Sequence, residues 1–230
     1  MAAESKSFPE ILAYPSTAIP VSQAGRGSLW LQISLVYALI IIACWTPESL
    51  LKVGLMVATA GTALLLATFG RYTGKEMGLG FPPVRGSLLI LGLGILFAVT
   101  LPFIGVLTGL RFPPVRIVPW HGAWQYALWA LMQQFALQSF FYLRMESLIG
   151  SRRAVVAAAI LFSTVHLPSP VLTVGTLLGG LFFCEMFRRY RTIIPLGVIH
   201  ALLGLTIAAS FSDSILHRMR VGIGYLAFHP

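Results

Sequence analysis

Seven apolar runs, separated by short polar or glycine- and proline-rich links, dominate the sequence. A helix needs about 20 apolar residues to cross a bilayer, and the first four runs are long enough. Only 10% of the 230 residues are charged, against roughly 25% in soluble domains. The sequence therefore predicts an all-α fold, a polytopic transmembrane bundle of about seven helices. The runs occupy residues 28–45, 50–69, 87–109, 122–149, 154–167, 171–187 and 193–210.

The runs divide the chain into four parts. Residues 1–27 form a polar N-terminal segment without the apolar centre of a cleavable signal peptide. Residues 28–120 hold the N-terminal transmembrane helices, and residues 121–210 hold a helical core that carries most of the intramembrane polar residues. Residues 211–230 are a tail, basic and then apolar. The sequence leaves open whether this tail lies on the membrane surface or plugs the bundle.

The basic residues lie in short clusters between apolar runs. We therefore attribute the formal charge of +9 to orientation of the chain in the membrane rather than to nucleic-acid binding. If all seven runs cross the membrane, most of the 16 Lys and Arg residues fall on the side of the N-terminus. Positive residues favour the cytoplasmic side, which predicts a cytoplasmic N-terminus. The expected partner is the lipid bilayer, and the expected location is the inner membrane of a bacterium.

Two short motifs have open interpretations. FPPVR occurs at 81–85 and again at 112–116. Since Pro-Pro cannot continue a helix, we interpret both copies as interfacial elbows, with a duplicated substrate-contacting motif as the alternative. Gly175 and Gly179 have the spacing that permits close helix approach in membranes, although chance in a glycine-rich chain explains it equally well.

Polar and ionisable residues inside apolar runs are costly in a membrane and usually serve a site. In the stretch 131–200 they are Gln133, Gln134, Gln138, Arg144, His166 and His200. Gln138 and His166 each lie fourteen residues from Arg152 in the turn between their runs, so both are expected about 20 Å from that turn. His200 starts from the same side and is expected about 10 Å deep. These positions predict one polar cavity inside the bundle.

Several kinds of chemistry are open to such a cavity. An imidazole can be a general base, a general acid or a metal ligand, so His166 and His200 could polarise a water directly or hold a divalent metal such as zinc. The amides of Gln134 and Gln138 could orient that water or donate to an oxyanion. The alternative is that these residues only hydrogen-bond between helices.

We interpret Arg144 as a structural residue rather than a catalytic one. We expect its guanidinium to pair with backbone carbonyls or with a carboxylate such as Glu146 or Glu185.

From Gln134 to Leu205 the chain resembles the CPBP family of CAAX-protease and bacteriocin-processing intramembrane endopeptidases. Phe162-Ser-Thr-Val-His166 fits the family's Phe-x-x-x-His motif, and His200 fits the histidine of a later His-x-x-x-Asn motif. The resemblance implies hydrolysis of a peptide bond in or near a membrane-embedded or lipid-modified C-terminal segment. The implied partner is a membrane-anchored protein or peptide substrate, with His166 and His200 acting on water.

The sequence departs from the family at three positions. With Arg144 as the arginine of the Glu-Glu-x-x-x-Arg motif, the two glutamates fall at Ser139 and Phe140, and the asparagine falls at Gly204. Glu146 as a substitute base, or Ser139 as a nucleophile, would keep hydrolysis possible. The alternative function is a catalytically inactive relative that binds a membrane peptide or lipid as an adaptor or protective factor.

Overall fold

The computed structural model describes residues 23–70, 72–109 and 119–228, and every regular element in these ranges is helical. A π-helical segment, Phe135–Tyr142, joins α4 to α5 without a break, and a 3₁₀ turn, His217–Met219, follows α9. The α-helices are α1 (Gln23–Trp45), α2 (Leu50–Thr68), α3 (Val84–Leu107), α4 (Trp120–Gln134), α5 (Leu143–Ile149), α6 (Ser151–Thr164), α7 (Pro170–Tyr190), α8 (Ile194–Ser210), α9 (Asp213–Leu216) and α10 (Ile223–Leu226).

The seven apolar runs coincide with helices α1, α2, α3, the continuous stretch from α4 to α5, α6, α7 and α8, which confirms the predicted helical fold. Among the described residues, four helices are long and apolar enough to cross a membrane: α1, α2, α3 and α7. Their outer faces carry exposed leucines such as Leu31 (70% exposed) and Leu64 (52%). A surface of this kind is compatible with lipid and not with water, so the protein is an integral membrane protein.

Local sequence explains where the core helices begin and end. Ser169 caps α7 by accepting a hydrogen bond from the Leu172 amide, and Pro170 occupies the first turn, where its missing N–H costs nothing. Arg191 (φ 45°) ends α7 in the left-handed region. Gly150 (φ 86°) separates α5 from α6, as glycine does readily because it has no Cβ.

Helix α8 packs between α3 and α4, and α6 packs along α7. The close approach of α3 and α8 requires Gly94, since a Cβ at this position would collide with the Ile199 side chain. On the α4 side, a Cβ on Gly197 would lie 2.8 Å from Leu131 Cδ1. The helix that carries His200 is therefore fixed on two sides by glycine contacts.

Of the two interpretations of the Gly175–Gly179 spacing, the contacts within the chain favour chance over close helix approach. A Cβ on Gly175 would meet no atom within 4 Å, and one on Gly179 would meet only Phe183 of the same helix. The close contact of α7 with α6 is made by Gly180, where a Cβ would lie 3.2 Å from Ala159 Cα. Spacing on one helix does not show which face the partner helix covers.

The helices alternate direction as predicted. At the end that holds the Gly150 turn, the Arg26 side chain donates to the Leu148 carbonyl (3.0 Å), and the Ile193 amide donates to the Gly78 carbonyl (3.2 Å). At the opposite end, the Gly222 amide donates to the Leu167 carbonyl (2.8 Å). The tail from α9 to α10 therefore packs on the bundle beside the turn that follows α6.

Two sequence features lie partly or wholly outside the described residues. These are residues 1–22 of the N-terminal segment and the second FPPVR at 112–116. The first FPPVR ends at the start of α3, with Pro83 as the residue before the helix and Phe81 fully exposed, in keeping with an elbow.

Candidate functional site

A chain of hydrogen bonds joins the two glutamines to His200. Gln138 Nε2 donates to Gln134 Oε1 (3.3 Å), and Gln134 Nε2 contacts His200 Nδ1 at 3.1 Å. Both glutamines are fully buried. Gln138 lies in the π-helical segment, and such wide turns are common at functional sites. Since an amide N–H₂ can only donate, His200 Nδ1 accepts, and the ring proton of neutral His200 lies on Nε2.

His166 has the opposite tautomer. Its Nδ1 lies 2.7 Å from the Phe162 carbonyl oxygen, which can only accept a hydrogen bond. Nδ1 therefore carries the proton, and Nε2 of neutral His166 keeps its lone pair. The His166 ring is 9% exposed, so this lone pair is largely shielded from bulk solvent.

Aromatic rings bring the two histidines together. The Phe162 ring lies edge-on to both imidazoles, with centroid distances of 5.0 Å to His166 and 6.0 Å to His200. Phe183 stacks on His200 at 5.3 Å with an interplanar angle of 30°. Of the five predicted site residues, four thus belong to one cluster: the two glutamines and the two histidines.

The predicted depths of these residues need one correction. Counting helical rise placed His200 about 10 Å nearer the Gly150 turn than Gln138. In the structure His200 contacts Gln134, which lies one turn beyond Gln138 from that end. Residue counts on separate helices ignore tilt and the different levels at which helices begin.

Comparison with known proteins gives one family match, and it covers the residues of this cluster. Residues 115–206 match the model of the Rce1-like family, described as type II CAAX prenyl endopeptidase Rce1-like. Over these residues, called the Rce1-like region below, the chain is similar to the Rce1-like family. The match confirms the CPBP resemblance and supports an intramembrane endopeptidase at the level of the family. Comparisons with curated proteins and with solved structures give no match.

Arg144 of the Rce1-like region does not join the histidine cluster by any hydrogen bond. It is fully buried and donates to Gln32 Oε1 (2.9 Å) on α1, to the Leu66 carbonyl (2.9 Å) on α2 and to the Phe140 carbonyl (3.2 Å). Its guanidinium also lies over the Phe140 ring, 3.8 Å from the centroid. Arg144 therefore fastens the Rce1-like region to the N-terminal helices through carbonyls, as the structural interpretation expected.

The two glutamates considered as partners of Arg144 bind other arginines. Glu146 accepts from Arg191 Nη2 at 2.6 and 2.7 Å and from the Tyr142 hydroxyl at 3.2 Å. Glu185 pairs with Arg188 and Arg189.

Ser139, considered as a nucleophile, is also engaged elsewhere. Its hydroxyl donates to the Met77 carbonyl at 2.6 Å. The resemblance placed glutamates at positions 139 and 140. In the structure, Ser139 binds a backbone carbonyl, and the Phe140 ring lies under the Arg144 guanidinium.

The donor set does not by itself make a zinc site. A catalytic zinc normally has three protein ligands, and the described residues contain no group of three or more His, Cys, Asp or Glu side chains placed to hold a metal. His166 and His200 supply two imidazoles. The cluster therefore offers a lone pair on His166 Nε2 and an N–H on His200 Nε2, and the glutamine amides orient the His200 ring.

Two residues were not predicted from the sequence: Phe183, which belongs to the histidine cluster, and Gln32, which binds Arg144. Phe183 looks like any core aromatic of an apolar helix, and only the tertiary structure shows that it stacks on His200. Gln32 is a polar residue inside the first apolar run. That position was an available sign that α1 holds a buried polar partner, which proves to be Arg144.

Proposed function

We propose that this protein is an intramembrane endopeptidase of the CAAX-protease-like class. It hydrolyses a peptide bond in or near a membrane-embedded or lipid-modified C-terminal segment of a membrane-anchored protein. One observation carries the proposal: inside the Rce1-like region, Gln138, Gln134 and His200 form a buried hydrogen-bonded chain, and Phe162 joins His200 to His166.

His166 is the general base in this proposal. The Phe162 carbonyl fixes its proton on Nδ1, which leaves the Nε2 lone pair to accept a proton from a water molecule. The water oxygen attacks the carbonyl carbon of the substrate, and the electron pair of the C=O bond moves to the oxygen. A positioned base of this kind contributes about 10²–10⁴-fold to rate.

His200 is the donor to the oxyanion. Gln134 keeps the His200 proton on Nε2, and Gln138 fixes the orientation of the Gln134 amide. When the tetrahedral intermediate collapses, the C=O bond re-forms and the C–N bond breaks. The proton that His166 took from water passes to the leaving amine, so both histidines return to their starting tautomers.

The orientation is part of the proposal. Arg26, Lys75, Arg85, Arg152 and Arg188 belong to connections and helix ends on the side of the Gly150 turn. The positive-inside rule then puts the N-terminus in the cytoplasm, in a bacterial inner membrane. A cysteine at an exposed position near Gly150, labelled by an impermeant reagent only after the cells are opened, would agree with this orientation. Labelling of intact cells would contradict it.

The test is cleavage of membrane-anchored peptides, with and without a prenylated C-terminal cysteine, by the purified protein in vesicles. His166→Ala and His200→Ala should each lower the cleavage rate at least about 10²-fold. His121→Ala is the matched control, because His121 is exposed at the start of α4. Equal rates for all four proteins, or no cleavage by the wild type over a wide panel, would refute the proposal.

A second candidate function is a non-catalytic relative that binds a membrane peptide or lipid as an adaptor or protective factor. The observation that favours it is the absence of carboxylates at Ser139 and Phe140, where Arg144 instead lies over an aromatic ring. Peptide binding without cleavage by the wild type, together with cleavage gained by Ser139→Glu/Phe140→Glu, would support this candidate over the first.

A further inference from the structure

We propose that the Tyr126 hydroxyl is a second donor to the oxyanion, beside His200; this inference rests on the proposed endopeptidase function. Tyr126 lies on α4, the helix that ends at Gln134, and it reaches across to α8 at Gly204. The contact is so close that a Cβ on Gly204 would collide with the Tyr126 hydroxyl and lie 2.5 Å from Tyr126 Cζ. Glycine is therefore required at position 204 for Tyr126 to occupy this place.

Gly204 lies one helical turn after His200 on α8. Residues four apart on a helix share a face, and their side chains start about 5–6 Å apart. The Tyr126 hydroxyl, which lies over Gly204, is therefore on the face of α8 from which the His200 side chain projects, one helical turn away.

The hydroxyl is free for this role. Tyr126 has no hydrogen-bond partner among the described residues, and its side chain is half-buried between helices. The hydroxyl is not one of the fully buried polar atoms that lack a partner, so it is open to a partner that comes with the substrate. A phenol is a suitable donor to a developing oxyanion.

Gly204 is also the position where the resemblance placed the asparagine of the third motif. The Tyr126 hydroxyl fills the space that a larger side chain at 204 would occupy. A donor from α4 therefore lies where the motif would supply an amide from α8.

The first experiment is steady-state cleavage by the full chain in vesicles. Tyr126→Phe should lower kcat about 10²–10³-fold, the usual effect of losing one oxyanion donor, with KM within about twofold and an unchanged melting temperature. Tyr190→Phe is the matched control, because Tyr190 also packs its ring on a glycine, Gly86 on α3. It should leave kcat unchanged.

A second experiment separates donation from packing. Tyr126→Ala opens the space beside Gly204, and adding Gly204→Asn places an amide in that space. The double variant should regain at least tenfold of the kcat lost in Tyr126→Ala, whereas a purely packing role predicts equal recovery with Gly204→Leu. Full activity of Tyr126→Phe beside an active wild type overturns this inference alone. An inactive wild type overturns both this inference and the proposed function.

Discussion

Replacing Glu146 with glutamine removes the carboxylate that holds the buried guanidinium of Arg191. The side chains of Arg191 and Glu146 are 2% and 4% exposed, and one guanidinium nitrogen binds both carboxylate oxygens. Arg191 Nε and Nη1 have no hydrogen-bond partner among the described residues. Glu146 is therefore the carboxylate that compensates this buried charge. The pair joins α5 to the segment between α7 and α8.

The expected loss is large for a single amide substitution. Removing one member of a buried ion pair costs about 3–5 kcal/mol, because the other charge stays buried without compensation. For a chain of this length, each kcal/mol lowers the melting temperature by roughly 2–4 °C, so Glu146→Gln should melt about 6–20 °C below the wild type. The measurement is thermal unfolding of the purified protein in detergent, followed by near-ultraviolet circular dichroism.

The chain contains a matched control for this prediction. Glu185 also pairs with arginines, but its side chain is 29% exposed and its partners lie three and four residues away on the same helix. Exposed pairs contribute about 0–1 kcal/mol, so Glu185→Gln should shift the melting temperature little. Equal shifts for the two variants, or a Glu146→Leu/Arg191→Met variant less stable than Glu146→Gln, would refute the reasoning.

Two further predictions concern His200 and the tail. Gln134→Leu removes the donor that sets the His200 tautomer and should lower the cleavage rate about 10–100-fold. The control in the same assay is Gln133→Leu, because Gln133 is half-buried beside Gln134. Equal loss in both variants would contradict the role of Gln134. Gly222 has φ 56° and packs on the Cys44 carbonyl, so Gly222→Ala should destabilise the protein by at least about 1 kcal/mol. Gly224→Ala, where a Cβ meets only ordinary contacts, should be neutral by the same melting measurement, and equal shifts would contradict the strained position of Gly222.

Much of the architecture follows from the sequence because it depends on one-dimensional properties. Apolar length determines the membrane helices, and Gly150 marks a turn because its conformation suits no other residue as well. Polar residues inside apolar runs indicate the candidate site because burying them in lipid is costly. On that ground Gln134, Gln138, His166 and His200 were predicted to share a cavity, and the structure brings them together.

The partners of individual side chains could not be predicted in this way. Arg144 binds α1 and α2 rather than an acidic residue, and Glu146 binds Arg191, 45 positions away. Helix register and tilt decide these pairs, and neither is encoded in a local pattern.

The sequence by itself determined that this protein is a helical membrane bundle with histidines and glutamines at depth. Only the tertiary structure decided that the proton of neutral His200 lies on Nε2, because its partner, the Gln134 amide, comes from another helix. The partner of His166 is local, since the Phe162 carbonyl lies four residues earlier in the chain. The tertiary structure also decided that Tyr126 reaches Gly204, since two helices must pack before a side chain on one can fill a gap on the other.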